Sequence, residues 1–213
     1  MHNKMANIPL SKAFGEIINR LLLTTKNLTG QRWLITSALV GEGKTISAIG
    51  IAFTMVHRNK KVLLIDGNLR NPSISRRFGS GSPMGLTEVI QRGEDVKRVL
   101  HKARDMENLS VLAAGNLNID PFELFRGQRI QEVLNTVQDL FDFTIIDSPA
   151  LDENLDALLL APYVEGCIIV MQAEKTRKSA VLKAGQEIEK VGGKVLGLIF
   201  NREKQRIPRV FHR

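Results

Sequence analysis

The chain has 213 residues, 43% of them hydrophobic and 24% charged, with 7 prolines and a formal net charge of +8. That composition excludes collagen, coiled coil and disorder, and the length gives one substantial core rather than two. The positive balance favours polyanions as partners: nucleotides, nucleic acid or the acidic face of a membrane.

The first residues, MHNKMANIPLSK, lack the apolar stretch of a signal peptide, and no apolar run approaches the roughly 18 residues of a membrane-spanning helix; both predict a cytosolic protein. A helix is expected over Leu10 to Lys26, so that residues 1–30 form an N-terminal helical segment. Strand-like apolar runs then recur as RWLITS (32–37), KVLLIDG (61–67), LSVLAAG (109–115), FTIIDSP (143–149), CIIVMQA (167–173) and KVLGLIF (194–200). Near-continuous apolar strands imply burial on both faces, and they alternate with helical patterns over 44–58, 86–102, 121–138, 155–162 and 176–191. Asp120 before Pro121 reads as a helix cap followed by a first-turn proline, and GSGSP (79–83) as a loop. The pattern predicts a single α/β domain over 31–202, a doubly wound and mostly parallel sheet with helices on both faces. A basic tail follows over 203–213.

The four histidines form no metal-ligand spacing, and the lone cysteine, Cys167, lies within GCIIVM and reads as a core thiol. The stretch ALVGEGKT, from Ala38 to Thr45, carries the chemistry instead. It sits between a strand and a helix whose Ile46, Ile49, Phe53 and Val56 recur at helical spacing. Gly41 and Gly43 let the backbone aim successive N–H groups at an anion, and the helix adds its partial positive terminus. Lys44 can then reach between β- and γ-phosphates, and Thr45 can place its hydroxyl on Mg²⁺. Ala38 stands where the P-loop pattern has its first glycine. Val40, Gly41, Glu42, Gly43, Lys44, Thr45 and Ile46 are therefore the expected nucleotide-binding loop. Two strand ends add Asp66, with Asn68 and Arg70 beyond it, and Asp147. With Thr45, these two aspartates are the candidate metal groups, and with Lys44 the candidate catalytic ones. ATP and Mg²⁺ are the expected cofactors.

At these residues the chain resembles the bacterial tyrosine kinases (BY-kinases) of capsule and exopolysaccharide synthesis, over about Ser11 to Arg202. The family's P-loop, its D-x-D-x-R and its D-x-x-P correspond to Ala38–Thr45, Asp66–Arg70 and Asp147–Ala150. Flanking phrases (RNPSISRRFG, GLTEVI, NLSVLAAG, PFELF, KVLGLIFNR) add to the resemblance. It implies the P-loop fold shared with the MinD and ParA ATPases, with Arg70 in the nucleotide site and Asn201 and Arg202 near the base. It further implies transfer of the ATP γ-phosphate to protein tyrosine, and a partner in the cytoplasmic part of a membrane polysaccharide co-polymerase. The protein would then be cytoplasmic, and held at the inner membrane through that partner. Leu39 replaces the extra lysine of the MinD and ParA branch. That argues against a ParA-like ATPase acting on nucleic acid.

Three departures shape the expectation. Asn68 replaces the second aspartate of D-x-D, which points to weak transfer. The family's C-terminal tyrosine cluster has no counterpart in NREKQRIPRVFHR, and Tyr163, in LLLAPYVEG, is the single tyrosine. In the first helix, E-x-x-R-x-x-R becomes Glu16, Asn19 and Leu22, which argues against the family's octameric ring, though not against every homo-oligomer. A nucleotide-dependent switch docking on the co-polymerase with little kinase activity is the alternative reading.

Overall fold

A computed structural model describes residues 10–25, 29–78, 84–116 and 118–202. The expected loop at 79–83 and the basic tail at 203–213 lie outside the described residues. The chain runs α1 (Leu10–Leu23), β1 (Gln31–Ser37), α2 (Lys44–His57), β2 (Val62–Asp66), α3 (Ile74–Phe78), α4 (Leu86–Arg92) and α5 (Val96–Val99). It continues through β3 (His101–Ala103), β4 (Met106–Leu112), α6 (Pro121–Phe125), α7 (Arg129–Gln138) and β5 (Phe143–Asp147). The remainder is α8 (Asp156–Leu160), a short 3-10 turn, β6 (Gly166–Gln172), α9 (Lys178–Lys190) and β7 (Val195–Asn201).

The seven strands form one sheet in the order β3-β4-β2-β5-β1-β6-β7. All neighbours are parallel except β3, which closes one edge antiparallel to β4. The doubly wound α/β class read from the sequence is the class observed. β2, β5 and most of β1 are buried along their whole length, as their unbroken apolar runs require of strands covered on both faces. Phe14, Ile18 and Leu21 of α1, the α2 residues Ala48, Ile51 and Met55, and Ile74 of α3 pack on one face. Leu86, Phe125, Leu134, Leu160, Val181 and Ile188, from α4 and α6–α9, cover the other. The first helix thus shares its core with α2 and β1. Its Phe14 ring lies against Gly50, where a Cβ would come within 2.4 Å.

Two of the expected helices differ from expectation. The helix expected over 86–102 is two short helices and then the β3 strand. Gly93 in the left-handed conformation (φ 70°) ends the first, and Asp95 caps the second by accepting from the Lys97 N–H. The helix expected over 121–138 breaks around Gly127. Asp120 does cap α6 with Pro121 in its first turn.

β1 lies between β5 on one side and β6 on the other, so the connections diverge at its carboxyl end. Ligands of open α/β sheets settle at such a switch point, and the loop Ala38–Gly43 emerges there. Among the described residues no helix is long and apolar enough to cross a membrane.

Candidate nucleotide site

The loop between β1 and α2 is shaped by its two glycines. Gly41 (φ 83°) and Gly43 (φ 97°) both sit where a side chain is strained, and Gly43 is the residue before the first turn of α2. A glycine loop that opens directly onto the positive end of a 14-residue helix is the arrangement that suits an anion. Lys44 is buried at the head of that helix, while Val40 and Ile46 are exposed on the rim.

Asp66 and Asp147 end neighbouring parallel strands in direct register. The segment after Asp147 is fixed across β1: Ser148 N–H donates to the Ile35 carbonyl, Leu151 N–H to that of Ser37, and the Thr36 hydroxyl to that of Pro149. Asp147 is therefore held rigidly beneath the loop. Its Oδ2 accepts from the Thr45 hydroxyl at 2.6 Å, and Ser73 donates to Thr45 Oγ1 at 3.2 Å. Asp66 Oδ2 accepts from the N–H groups of Ile74 (2.9 Å) and Ser75 (3.1 Å) and from the Ser75 hydroxyl (3.2 Å). It thereby caps the short helix α3. Among the described residues the Oδ1 atoms of both aspartates are buried without a hydrogen-bond partner.

Burial pushes the Asp147 carboxyl up to about 7; the Thr45 hydrogen bond and the Lys44 and Arg77 charges oppose that rise, and the Asp66 charge adds to it. Burial likewise raises Asp66, against its hydrogen bonds from Ser75 and Ile74. Two buried acids side by side, each with an unsatisfied oxygen, suit a cation. Thr45, Asp66 and Asp147 fit Mg²⁺, which binds through one or two carboxylates plus phosphate oxygens and needs no all-protein cage. Among the described residues no cluster of three His, Cys, Asp or Glu suited to a metal occurs.

Four of the expected binding residues have side chains bonded within the protein. Glu42 points its carboxylate inward: Oε2 accepts from the Leu39 N–H (2.9 Å), and Oε1 from the Gln172 N–H (3.3 Å) and the Thr176 hydroxyl. Asn201 Nδ2 donates to the Glu42 carbonyl (2.8 Å), and an Arg202 guanidinium nitrogen to Gln172 Oε1 (3.3 Å). Arg70 is drawn to Asp120 (2.6 Å) and to the buried Asp156 (3.2 Å), tying the segment after β2 to the starts of α6 and α8. Asn68 Oδ1 accepts from the Asn71 N–H at 3.2 Å and so closes its own turn. Cys167 is buried, its thiol pushed up to about 12, in keeping with a core role. Sequence reasoning missed Ser73, Ser75 and Thr176. A hydroxyl in a turn is too common to stand out until its partner, 28 or 134 residues away, is placed beside it.

The fold and this loop-and-aspartate geometry define a P-loop nucleotide-binding domain. A family model described as an AAA domain (AAA_31) matches residues 35–195. CapB of Staphylococcus aureus is 33% identical over 193 residues, covering 91% of this chain and 84% of its own. The tyrosine-protein kinase YwqD of Bacillus subtilis (strain 168) is 32% identical over 171 residues, 80% of this chain and 72% of its own. Among solved structures, the VpsO kinase domain superposes with a TM-score of 0.82 at 30% identity, covering 94% of this chain and 98% of that one. The Pyrococcus furiosus cell division ATPase MinD gives 0.69 at 27% identity over 81% of this chain and 72% of its own. The chain belongs to the AAA_31 domain family and, within it, to the bacterial tyrosine kinases.

Proposed function

We propose that the protein binds Mg·ATP at Ala38–Thr45 and transfers the γ-phosphate to tyrosine on another protein chain. The observation that supports this most directly is the meeting, at the carboxyl ends of β1, β2 and β5, of a left-handed glycine loop, Lys44, Thr45 and two aspartates in register. In this reading the loop N–H groups and Lys44 hold the β- and γ-phosphates. Thr45, Asp147 and Asp66 hold magnesium, which supplies positive charge against that of the phosphates. In place of holding the metal, the one unbonded oxygen of Asp66 would accept the proton of an incoming tyrosine hydroxyl, one role excluding the other. The protein would act in capsule or exopolysaccharide synthesis beside a membrane polysaccharide co-polymerase, as its family membership suggests. The site sits in the cytoplasm in this reading.

Asn68 favours a second reading. A neutral amide committed to its own turn stands where the family's second aspartate would add a negative charge, so ATP occupancy with slow transfer would make the protein a nucleotide-dependent switch. Both readings require ATP to bind. Calorimetric titration with Mg·ATP tests this: the protein should bind, and Lys44→Ala should lose about tenfold or more, since it removes a charge-assisted contact to phosphate. Undiminished affinity in Lys44→Ala would contradict the site.

A further inference from the structure

The buried carboxylate of Glu42 is the most heavily bonded side-chain group in the loop. It lies 3% exposed beneath the loop that it belongs to. One oxygen accepts from the Leu39 N–H in the same loop. The other accepts from the Gln172 N–H at the end of β6 and from the Thr176 hydroxyl in the turn that follows. Its own carbonyl accepts from Asn201 Nδ2 at the end of β7. The Arg202 N–H donates to Asn201 Oδ1 at 2.9 Å, and the Ala173 N–H to the Asn201 carbonyl at 2.9 Å, so the ends of β6 and β7 form one hydrogen-bonded plate. Asn201 fits so closely over Gly43 that a Cβ there would lie 2.0 Å from its amide nitrogen.

We propose that Glu42 is the positioning residue of the phosphate loop. It clamps the loop to the carboxyl ends of β6 and β7, so that loop geometry and the β7 terminus are set together. The inference rests on the reading of Ala38–Thr45 as a phosphate site. Two glycines in left-handed conformations leave that loop free to adopt many shapes, and only some aim its N–H groups at one point. A carboxylate that accepts from three donors on two segments selects one shape, and a neutral side chain cannot satisfy all of them. Coupling of this kind is reciprocal: if the clamp favours the nucleotide-binding loop, bound nucleotide must steady the clamp and the strand ends attached to it.

The test uses the full chain and Mg·ATP, with binding followed by calorimetry and amide exchange followed at Gln172 and Arg202. Glu42→Ala should weaken ATP binding by about tenfold or more, because a buried donor set loses its acceptor, and Glu42→Gln should fall between the two. Thr176→Val should weaken binding several-fold, and Thr176→Ser, which keeps the hydroxyl, should restore it. ATP should slow exchange at Gln172 and Arg202 in the unaltered protein and no longer do so in Thr176→Val. A residue that served stability alone would lower the melting temperature and leave affinity and ATP-dependent protection in place. Should Glu42→Ala fail to fold, the Thr176 pair carries the test: equal affinity in Thr176→Val and Thr176→Ser overturns the proposal. Binding that is lost in Lys44→Ala yet unchanged in Glu42→Ala overturns the clamp alone. A protein that binds no ATP overturns the nucleotide site itself.

Discussion

Asp66 and Asp147 end adjacent strands in register, and each buries one oxygen that has no hydrogen-bond partner among the described residues. For Asp147 the consequence is a carboxyl that titrates near 7 instead of near 3.8. Between those two values the unfolded chain releases a proton that the folded chain keeps, so the ligand-free protein loses stability as pH rises through the window. Above about 7 the loss is complete. Asp147→Asn removes the buried charge and should raise the melting temperature of the ligand-free protein at pH 8 by about 5 °C. Near pH 4 the same substitution should give little change. Thermal melts at the two pH values check this, and equal shifts at both would contradict it.

The same ionisation governs the metal. A cation on Asp147 competes with the proton, so Mg·ATP affinity should rise between pH 6 and pH 8, while magnesium-free ATP should follow a flatter course. Titrations with and without a chelator separate the two.

Asn68 tests how much the missing charge matters. Its turn is closed by an oxygen that an aspartate would also offer to the Asn71 N–H, so Asn68→Asp should fold normally. The substitution should raise the rate of tyrosine phosphorylation by up to about a hundredfold, with ATP affinity little changed. An unchanged rate would show that the position does not limit transfer.

Gly43 is constrained twice, by φ 97° and by the Asn201 amide above it. Gly43→Ala should therefore weaken ATP binding by more than about tenfold. Adding Asn201→Ala removes the obstructing amide but also its bond to the Glu42 carbonyl, so it should recover only part of the loss. Full recovery in the double variant would show that strain counts for nothing.

Away from the site, Gly85 has no room at all. A Cβ there would lie 2.3 Å from both the Ala113 carbonyl and the Gly115 nitrogen. Glu88 holds this crossing by accepting from the Gly85 N–H (2.7 Å) and the Asn116 N–H (3.1 Å). Gly85→Ala should destabilise the protein by about 2–3 kcal/mol, measured by denaturant unfolding.

Much of this was readable in the residues themselves. β1, β2, β5 and β6 announced themselves because strands buried on both faces must be apolar throughout, and the loop because left-handed backbone and phosphate contact both demand glycine. The elements that escaped depend on distant partners. ISRRF has no helical signature of its own; its cap is Asp66, eight residues earlier. HKA reads as the end of a helix, and only the antiparallel β4 makes it a strand. Glu42, Asn201 and Arg70 are polar residues in the right neighbourhood whose direction no spacing reveals. Glu42 faces Gln172, 130 residues away, and Arg70 faces Asp156, 86 away. Sequence placed them near the nucleotide; packing decides which way they point.

The most direct test of the account follows γ-labelled ATP with Mg²⁺, the purified protein and a bacterial lysate as the source of substrates. Label should appear on protein tyrosine, be lost in Lys44→Ala and increase in Asn68→Asp. Label that stays on nucleotide, or passes only to water, in the unaltered protein and in Asn68→Asp alike would contradict transfer to tyrosine and leave the ATP-dependent switch.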